Sequence, residues 1–139
     1  MRLPDAQAWE RLAASDHGVL ATVHPRRGVD AVPVVYAVDD GHVGIPVDRV
    51  KPKESTRLQR ERNLEADPRA TLLVDHWDPV DWAQLWWVRT ELRRVDSAER
   101  AGRLGELLEE RYPQYTGQPF EKVLVLRIER VTGWQASES

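Results

Sequence analysis

The sequence predicts a mainly β, α+β domain: a small antiparallel barrel carrying helices on its outside. Three observations lead there. Six short β-rich runs recur along the chain with turn residues between them. Helical patterns fall at the amino terminus, in the middle and ahead of the last run. At 139 residues the chain has room for one core and not two, so residues 1–139 are read as a single domain.

Taken in order, Pro4 suits the first turn of a helix, and Trp9, Leu12 and Ala13 recur at the spacing of one helical face that ends before Gly18. Gly18 to His24 forms the first strand, PRRG a turn, and Ala31 to Val38 the second strand, closed by Asp39, Asp40 and Gly41. His42 to Val47 completes a meander. The second strand is apolar on both faces, with Val32, Val34, Tyr36 and Val38 on one and Ala31, Pro33, Val35 and Ala37 on the other. A solvent-backed strand would alternate, so its outer face needs a helix, a ligand or a second subunit to cover it.

A basic loop and a short helix come next, with Ser55 and Thr56 at the expected helix start and Asp67–Pro68 at its stop. Ala70 to His76 forms the fourth strand, WDPVDWAQ a loop, and Leu85 to Val95 the fifth. Four of the six tryptophans lie between Trp77 and Trp87, where core, subunit contact and the wall of a planar-ligand pocket all suit indole. Asp96 and Glu99 resemble a capping box for a helix over Ser97–Arg111, with Leu104, Leu107 and Leu108 as its buried face. The last strand runs from Lys122 to Trp134, with Leu124, Leu126 and Ile128 on its apolar face.

Composition excludes several functions. Without cysteine there is neither a disulfide frame nor a thiolate metal site, and a reducing cytoplasm is the simplest setting. His17, His24, His42 and His76 lack ligand spacing, so no metal is expected. A net charge of −3 argues against a nucleic-acid partner. The amino terminus has neither a leader pattern nor a span long enough for a bilayer, so no membrane association is expected. Dinucleotide, Walker and serine-elbow motifs are lacking, so the hard chemistry of an enzyme built this way belongs to a cofactor.

One stretch stands out against the acidic average. Between Arg49 and Arg62 there are six basic residues, Arg49, Lys51, Lys53, Arg57, Arg60 and Arg62, against Glu54 and Glu61. Two of the chain's three lysines, Lys51 and Lys53, flank Pro52 there. A charge run is often only a solvated helix face. Its placement between a strand and a helix also fits an anion site, where mobile ammonium groups, the hydroxyls of Ser55 and Thr56 and unpaired N–H groups converge on a phosphate or carboxylate, and both readings stand at this point.

The order GVLATVHPRRGVDAVPVVYAVDDGHVGIPVD, then KPK, then RNLEADPRATLLVD resembles the split-barrel family of flavin and deazaflavin proteins related to pyridoxamine 5'-phosphate oxidase. The segment DWAQLWWVR is similar to an actinobacterial branch of that family that uses the deazaflavin F420. The resemblance spans Gly18 to Trp134. It implies a split barrel, a homodimer with the cofactor in a groove between subunits, and hydride transfer from reduced F420 to a small electron-poor substrate such as an enone or quinone.

Carried onto this chain, the resemblance gives Lys51 and Lys53 the anionic tail of the cofactor and Ser55, Thr56 and Arg57 hydrogen bonds beside it. Arg62 and Asn63 match the family's RNL element, Pro33 and Val34 would pack against the ring, and Trp77 would close its edge. No catalytic side chain is implied. The extra turn ESTRLQRE between KPK and RNL departs from the family's shorter spacing, which leaves open which group meets the phosphate. FMN, which also presents a phosphate, is the alternative cofactor. A non-catalytic carrier, an FMN-dependent oxidase and a haem-binding relative are the alternative functions.

Overall fold

The computed structural model describes residues 1–48, 58–118 and 120–137. Helix α1 (Asp5–Ala14) leads into strands β1 (His17–His24), β2 (Gly28–Val35), β3 (Ala37–Asp39) and β4 (His42–Asp48). Helix α2 (Gln59–Ala66), strands β5 (Arg69–His76) and β6 (Trp86–Val95), helix α3 (Ala98–Arg111) and strand β7 (Phe120–Gln135) follow. Short 3-10 turns stand at Trp82–Gln84 and Pro113–Tyr115.

All strand pairs are antiparallel, and the sheet order is β2-β1-β5-β6-β7-β4-β3. The sheet curls until β2 touches β4, yet among the described residues no ladder joins those two strands. The barrel is therefore split along that seam.

The expected single strand from Ala31 to Val38 is two. Gly28–Val35 pairs with β1 at one end of the sheet, whereas Ala37–Asp39 pairs with β4 at the other. Tyr36 is the corner between them. Its buried phenol donates to the Leu12 carbonyl at 2.5 Å, and its own carbonyl accepts from Tyr112 Oη at 3.0 Å and Arg111 Nη1 at 3.4 Å. Those bonds replace the ladder and let the chain leave one edge for the other.

The core runs along the inward faces. Leu20, Leu72, Val88, Leu124, Leu126, Val43 and Ile45 are almost fully enclosed, each no more than 2% exposed. Helix α1 closes one side. It buries Ala8 and Leu12, leaving Trp9 and Ala13 at the surface against expectation, because its contact face follows the 8–12 spacing over β7. On the other side Leu104 and Leu108 of α3 pack with Ala37, Phe120 and Val125, while Leu107 is half-buried. This helix is capped by Ser97, whose hydroxyl accepts from the Arg100 N–H at 3.2 Å, rather than by Asp96 and Glu99. The turn into β4 uses Asp40 and Gly41, both at positive φ, as a tight hairpin requires.

Among the described residues no helix is long and apolar enough to cross a membrane, and no cluster of His, Asp or Glu fits a metal ion.

Candidate functional site

At the split lies a crevice of about 310 Å³. Its apolar walls are Pro33, Val34 and Val35 of β2 and Ile45 and Pro46 of β4; His17, Arg60 and Tyr115 supply its polar groups. The topology accounts for the gap. Strand β3 pairs only as far as Gly44, so among the described residues the β4 edge from Ile45 onward has no ladder partner on that side. Pro33 sits on an edge strand, where a missing N–H costs no ladder bond.

Helix α2 brings Arg60 to this seam, where Nη2 donates to the Pro46 carbonyl at 3.3 Å. The helix itself begins at Gln59, not at Ser55 or Thr56. Leu58, still extended, donates its N–H to Glu61 Oε1 at 3.4 Å, so a glutamate in the first turn does part of the capping expected of the hydroxyls. Glu61 is 2% exposed, and its other oxygen lies 2.5 Å from Lys122 Nζ on β7. The third lysine of the chain is thus engaged in holding α2 to the sheet.

Of the residues named from sequence, Pro33 and Val34 line the crevice together. Lys51, Lys53, Ser55, Thr56 and Arg57 lie outside the described residues, in the segment that joins β4 to α2. Arg62 is exposed on α2 and does not line the crevice. Trp77 does not line it either; it is 55% exposed and packs at 5.6 Å against Trp82.

Asn63 is fully buried. Its Nδ2 donates to Thr22 Oγ1 and Asp30 Oδ2, and its Oδ1 accepts from Gln59 Nε2, all at 2.9 Å. In this chain it ties α2 to β1 and β2. Arg27 first, and then Asn63, hold the Asp30 carboxyl below the usual carboxylate range. Asn63→Ala strands Thr22 and Gln59 and is expected to cost about 2–3 kcal/mol. A urea melt checks this, and a midpoint unchanged from wild type would refute it.

Arg60, His17 and Tyr115 are crevice groups that sequence reading did not single out. Arg60 was one charge in a run, and only the curl of the sheet brings it against Pro33 and Val34. Asp16 and His17 are adjacent in sequence, and that pairing was the one available signal: His17 Nδ1 lies 2.6 Å from Asp16 Oδ1. The hydrogen bond from His17 holds the Asp16 carboxyl below its ordinary value.

A larger hollow, about 480 Å³, opens on the outer face of the sheet between Ala21, Val23 and Val29 on one side and Arg69, Arg93, Glu91 and Glu129 on the other. Its guanidiniums already face carboxylates, Arg69 on Asp67 at 2.6 Å and Arg93 on Glu129 at 3.5 Å. Close by on that face, Val19 and Leu73 stand opposite one another, each 40% exposed. Pro33 and Val34, two of the residues named from sequence, meet Arg60 at the smaller crevice, which is therefore the better candidate for a ligand site.

The sequence profile of the family described as Pyridoxamine 5'-phosphate oxidase matches residues 4–135. The chain belongs to that family. Its solved neighbours agree on the fold. A conserved hypothetical protein from Mycobacterium tuberculosis is 24% identical, with a TM-score of 0.75 over 96% of this chain and 86% of that one. A FAD-binding protein from Mesorhizobium loti is 20% identical, with a TM-score of 0.71 over 99% and 98% of the two chains. The haem-storage protein HutZ from Vibrio cholerae is 15% identical, with a TM-score of 0.63 over 100% and 93%. No curated protein matches the chain. These neighbours share the fold across nearly the whole length of the chain; one is named for FAD binding and another for haem storage.

Proposed function

We propose that this family member is an F420-dependent oxidoreductase that reduces a small electron-poor molecule such as an enone or quinone. The observation that carries the reading is the crevice at the split. Two apolar strand walls face each other across a gap suited to a flat ring, with the Arg60 guanidinium at its rim. The segment that continues from β4 into α2 adds five further cations, Arg49, Lys51, Lys53, Arg57 and Arg62. Such a reach of positive charge suits the lactyl and polyglutamate tail of F420 better than the single phosphate of FMN.

The residues present fit such a group. Pro33 and Val34 would exclude water from the ring, Arg60 would meet an oxygen at its edge, and Lys51, Lys53 and Arg57, with Ser55 and Thr56, would hold the acidic tail. When bound, the deazaflavin supplies the hydride. The chain's own part is to orient the acceptor over the ring and keep the crevice dry. Trp77 and Trp82 would rim the site from a second copy. A cytoplasmic setting completes the reading.

Fluorescence titration with F420, FMN and FAD side by side tests it. Tightest binding to F420, with oxidation of reduced F420 dependent on an added enone or quinone, is expected. Preference for FMN would move the protein to an FMN-dependent oxidase. A second reading, a non-catalytic binding or storage protein, draws on the haem-storage neighbour. It predicts cofactor binding without acceptor-dependent oxidation or, for haem, a specific Soret shift with haemin.

A homodimer belongs to the same proposal. Val19, Leu73 and Val29, 40%, 40% and 64% exposed, form an apolar strip with Ala21 and Ala31 on the outer face of β1, β2 and β5. A second copy laid on that strip would cover the face that sequence reading found too apolar for water. Sedimentation of the wild type should give twice the 16.0 kDa chain mass. Val19→Asp/Leu73→Asp should sediment as a monomer, since each copy would bury unpaired carboxylates. A double variant that stays dimeric would place the interface elsewhere.

A further inference from the structure

We propose that Asp16 and His17 form a proton-transfer pair serving the crevice, with His17 Nε2 the atom that exchanges a proton with the bound ligand. The proposal rests on the reading of the crevice as the cofactor and substrate site, and it assigns a role to a side chain that neither the family likeness nor the basic segment supplies.

His17 opens β1 opposite Val35, and both residues line the crevice. Its Nδ1 is 2.6 Å from Asp16 Oδ1. An ionised carboxylate only accepts, so Nδ1 carries the hydrogen and donates it. That fixes the ring's tautomer. In the neutral ring the lone pair sits on Nε2, and in the protonated ring the second N–H is there, so Nε2 is the exchanging position in both states.

The other histidines are placed differently. His24 is 7% exposed and its Nδ1 accepts from the N–H groups of Arg26 and Arg27 in the β1–β2 turn. His42 has Nδ1 2.8 Å from the Asp40 carbonyl oxygen, and His76 stacks on Trp86. Among the described residues, none of the three lines the crevice, nor does any carboxyl group.

The backbone beneath the pair is clamped even though both side chains are open to solvent. The one hydroxyl hydrogen of Tyr112 is shared between the Asp16 carbonyl at 2.5 Å and the Tyr36 carbonyl at 3.0 Å, and Arg111 Nη2 donates to the Ser15 carbonyl, both from the end of α3. The charged and titratable groups that face the pair are therefore Arg111 and Tyr112 from α3, with Arg60 of α2 and Tyr115 of the following 3-10 turn across the crevice.

The chemistry that needs such a pair is reduction of a conjugated carbonyl. Hydride from the reduced deazaflavin forms a C–H bond at the β-carbon of the acceptor, and the π pair of the C=C bond shifts to leave an enolate. The enolate pair takes the proton from His17 Nε2, the N–H electrons stay on the ring as a lone pair, and water restores the proton. Hydride at the β-carbon and proton at the α-carbon together convert C=C–C=O into its saturated ketone, and the reduced deazaflavin, having given up the hydride, would be left in its two-electron oxidised form, so atoms and electrons balance.

The first test reads protons, not turnover. Calorimetric titration of the wild type with F420 near neutral pH, in two buffers of different ionisation enthalpy, gives the protons taken up per cofactor bound. Placing the anionic cofactor beside His17 should draw in a fraction of a proton, and His17→Gln should bind F420 with that uptake abolished. With cyclohexenone as acceptor, His17→Gln should lower kcat by about 10²-fold, leave KM within about threefold and remove the pH-dependent limb of the rate profile. Asp16→Asn should lower kcat by about 10-fold. A circular dichroism melt matching wild type shows that the exposed substitution leaves the fold intact. Unchanged proton uptake in a His17→Gln protein that binds F420 overturns the proposal alone. Failure of the wild type to bind F420 or FMN overturns it together with the crevice reading.

Discussion

Lys51→Ala/Lys53→Ala will weaken F420 binding by about 10²- to 10⁴-fold while leaving the melting temperature near that of the wild type. Each ammonium group that meets an anionic oxygen contributes about 1.5–3 kcal/mol as a charged hydrogen bond, and every 1.4 kcal/mol is about tenfold. Lys122, which pairs with buried Glu61 and ties α2 to the sheet, is left in place in this variant. Salt offers a second reading of the same claim: the wild-type affinity should drop between about 50 mM and 500 mM NaCl more steeply than that of the double variant. Fluorescence titrations of both proteins at the two salt concentrations decide it. Equal affinities would return the basic segment to the role of a solvated surface.

Gly44→Val will destabilise the protein by about 3 kcal/mol or more, a fall of roughly 10 °C in melting temperature. A Cβ at this position would stand 2.6 Å from Leu104 Cβ and 3.0 Å from Leu104 Cγ and Cδ1. Neither side can yield cheaply. Gly44 is paired with β7 on one edge and β3 on the other, and Leu104 is 1% exposed, wedged with Ala37, Leu108 and Phe120. Helix α3 would have to lift from the sheet. Gly102, on the same helix with nothing within 4 Å of its would-be Cβ, supplies the control. Gly102→Ala should raise stability by about 0.5–1 kcal/mol through helix propensity alone. A thermal melt of the two variants beside wild type checks both signs, and a Gly44→Val protein as stable as wild type would refute the packing argument.

The strands were legible because each depends on local pattern. Val43, Ile45 and Val47 alternate with polar or small neighbours, and Leu20, Leu72 and Leu124 sit in β-rich runs bounded by turns, so periodicity placed them within a residue or two. The corner at Tyr36 was not legible, because the residues on both sides of it are apolar and nothing in the sequence marks where the ladder partner changes. The start of α2 was misplaced for a related reason. Ser55 and Thr56 have the chemistry of caps, but the helix takes its first-turn partner from Glu61, three residues after Leu58.

At the crevice, Pro33 and Val34 came from family likeness and do line it. Asn63 came from the same motif and proves to be a buried tie. His17, Arg60 and Tyr115 meet only when the sheet closes on itself, a non-local event that no window of sequence contains.

The seam between β2 and β4 gives the closed sheet a property that a fully laddered barrel lacks. Its two lips belong to opposite ends of one sheet and are joined covalently through Tyr36, yet no main-chain hydrogen bond spans them among the described residues. Parting those lips would therefore break no ladder among the described residues; what holds the seam is packing of β2 on β4 and the Arg60 bond to the Pro46 carbonyl.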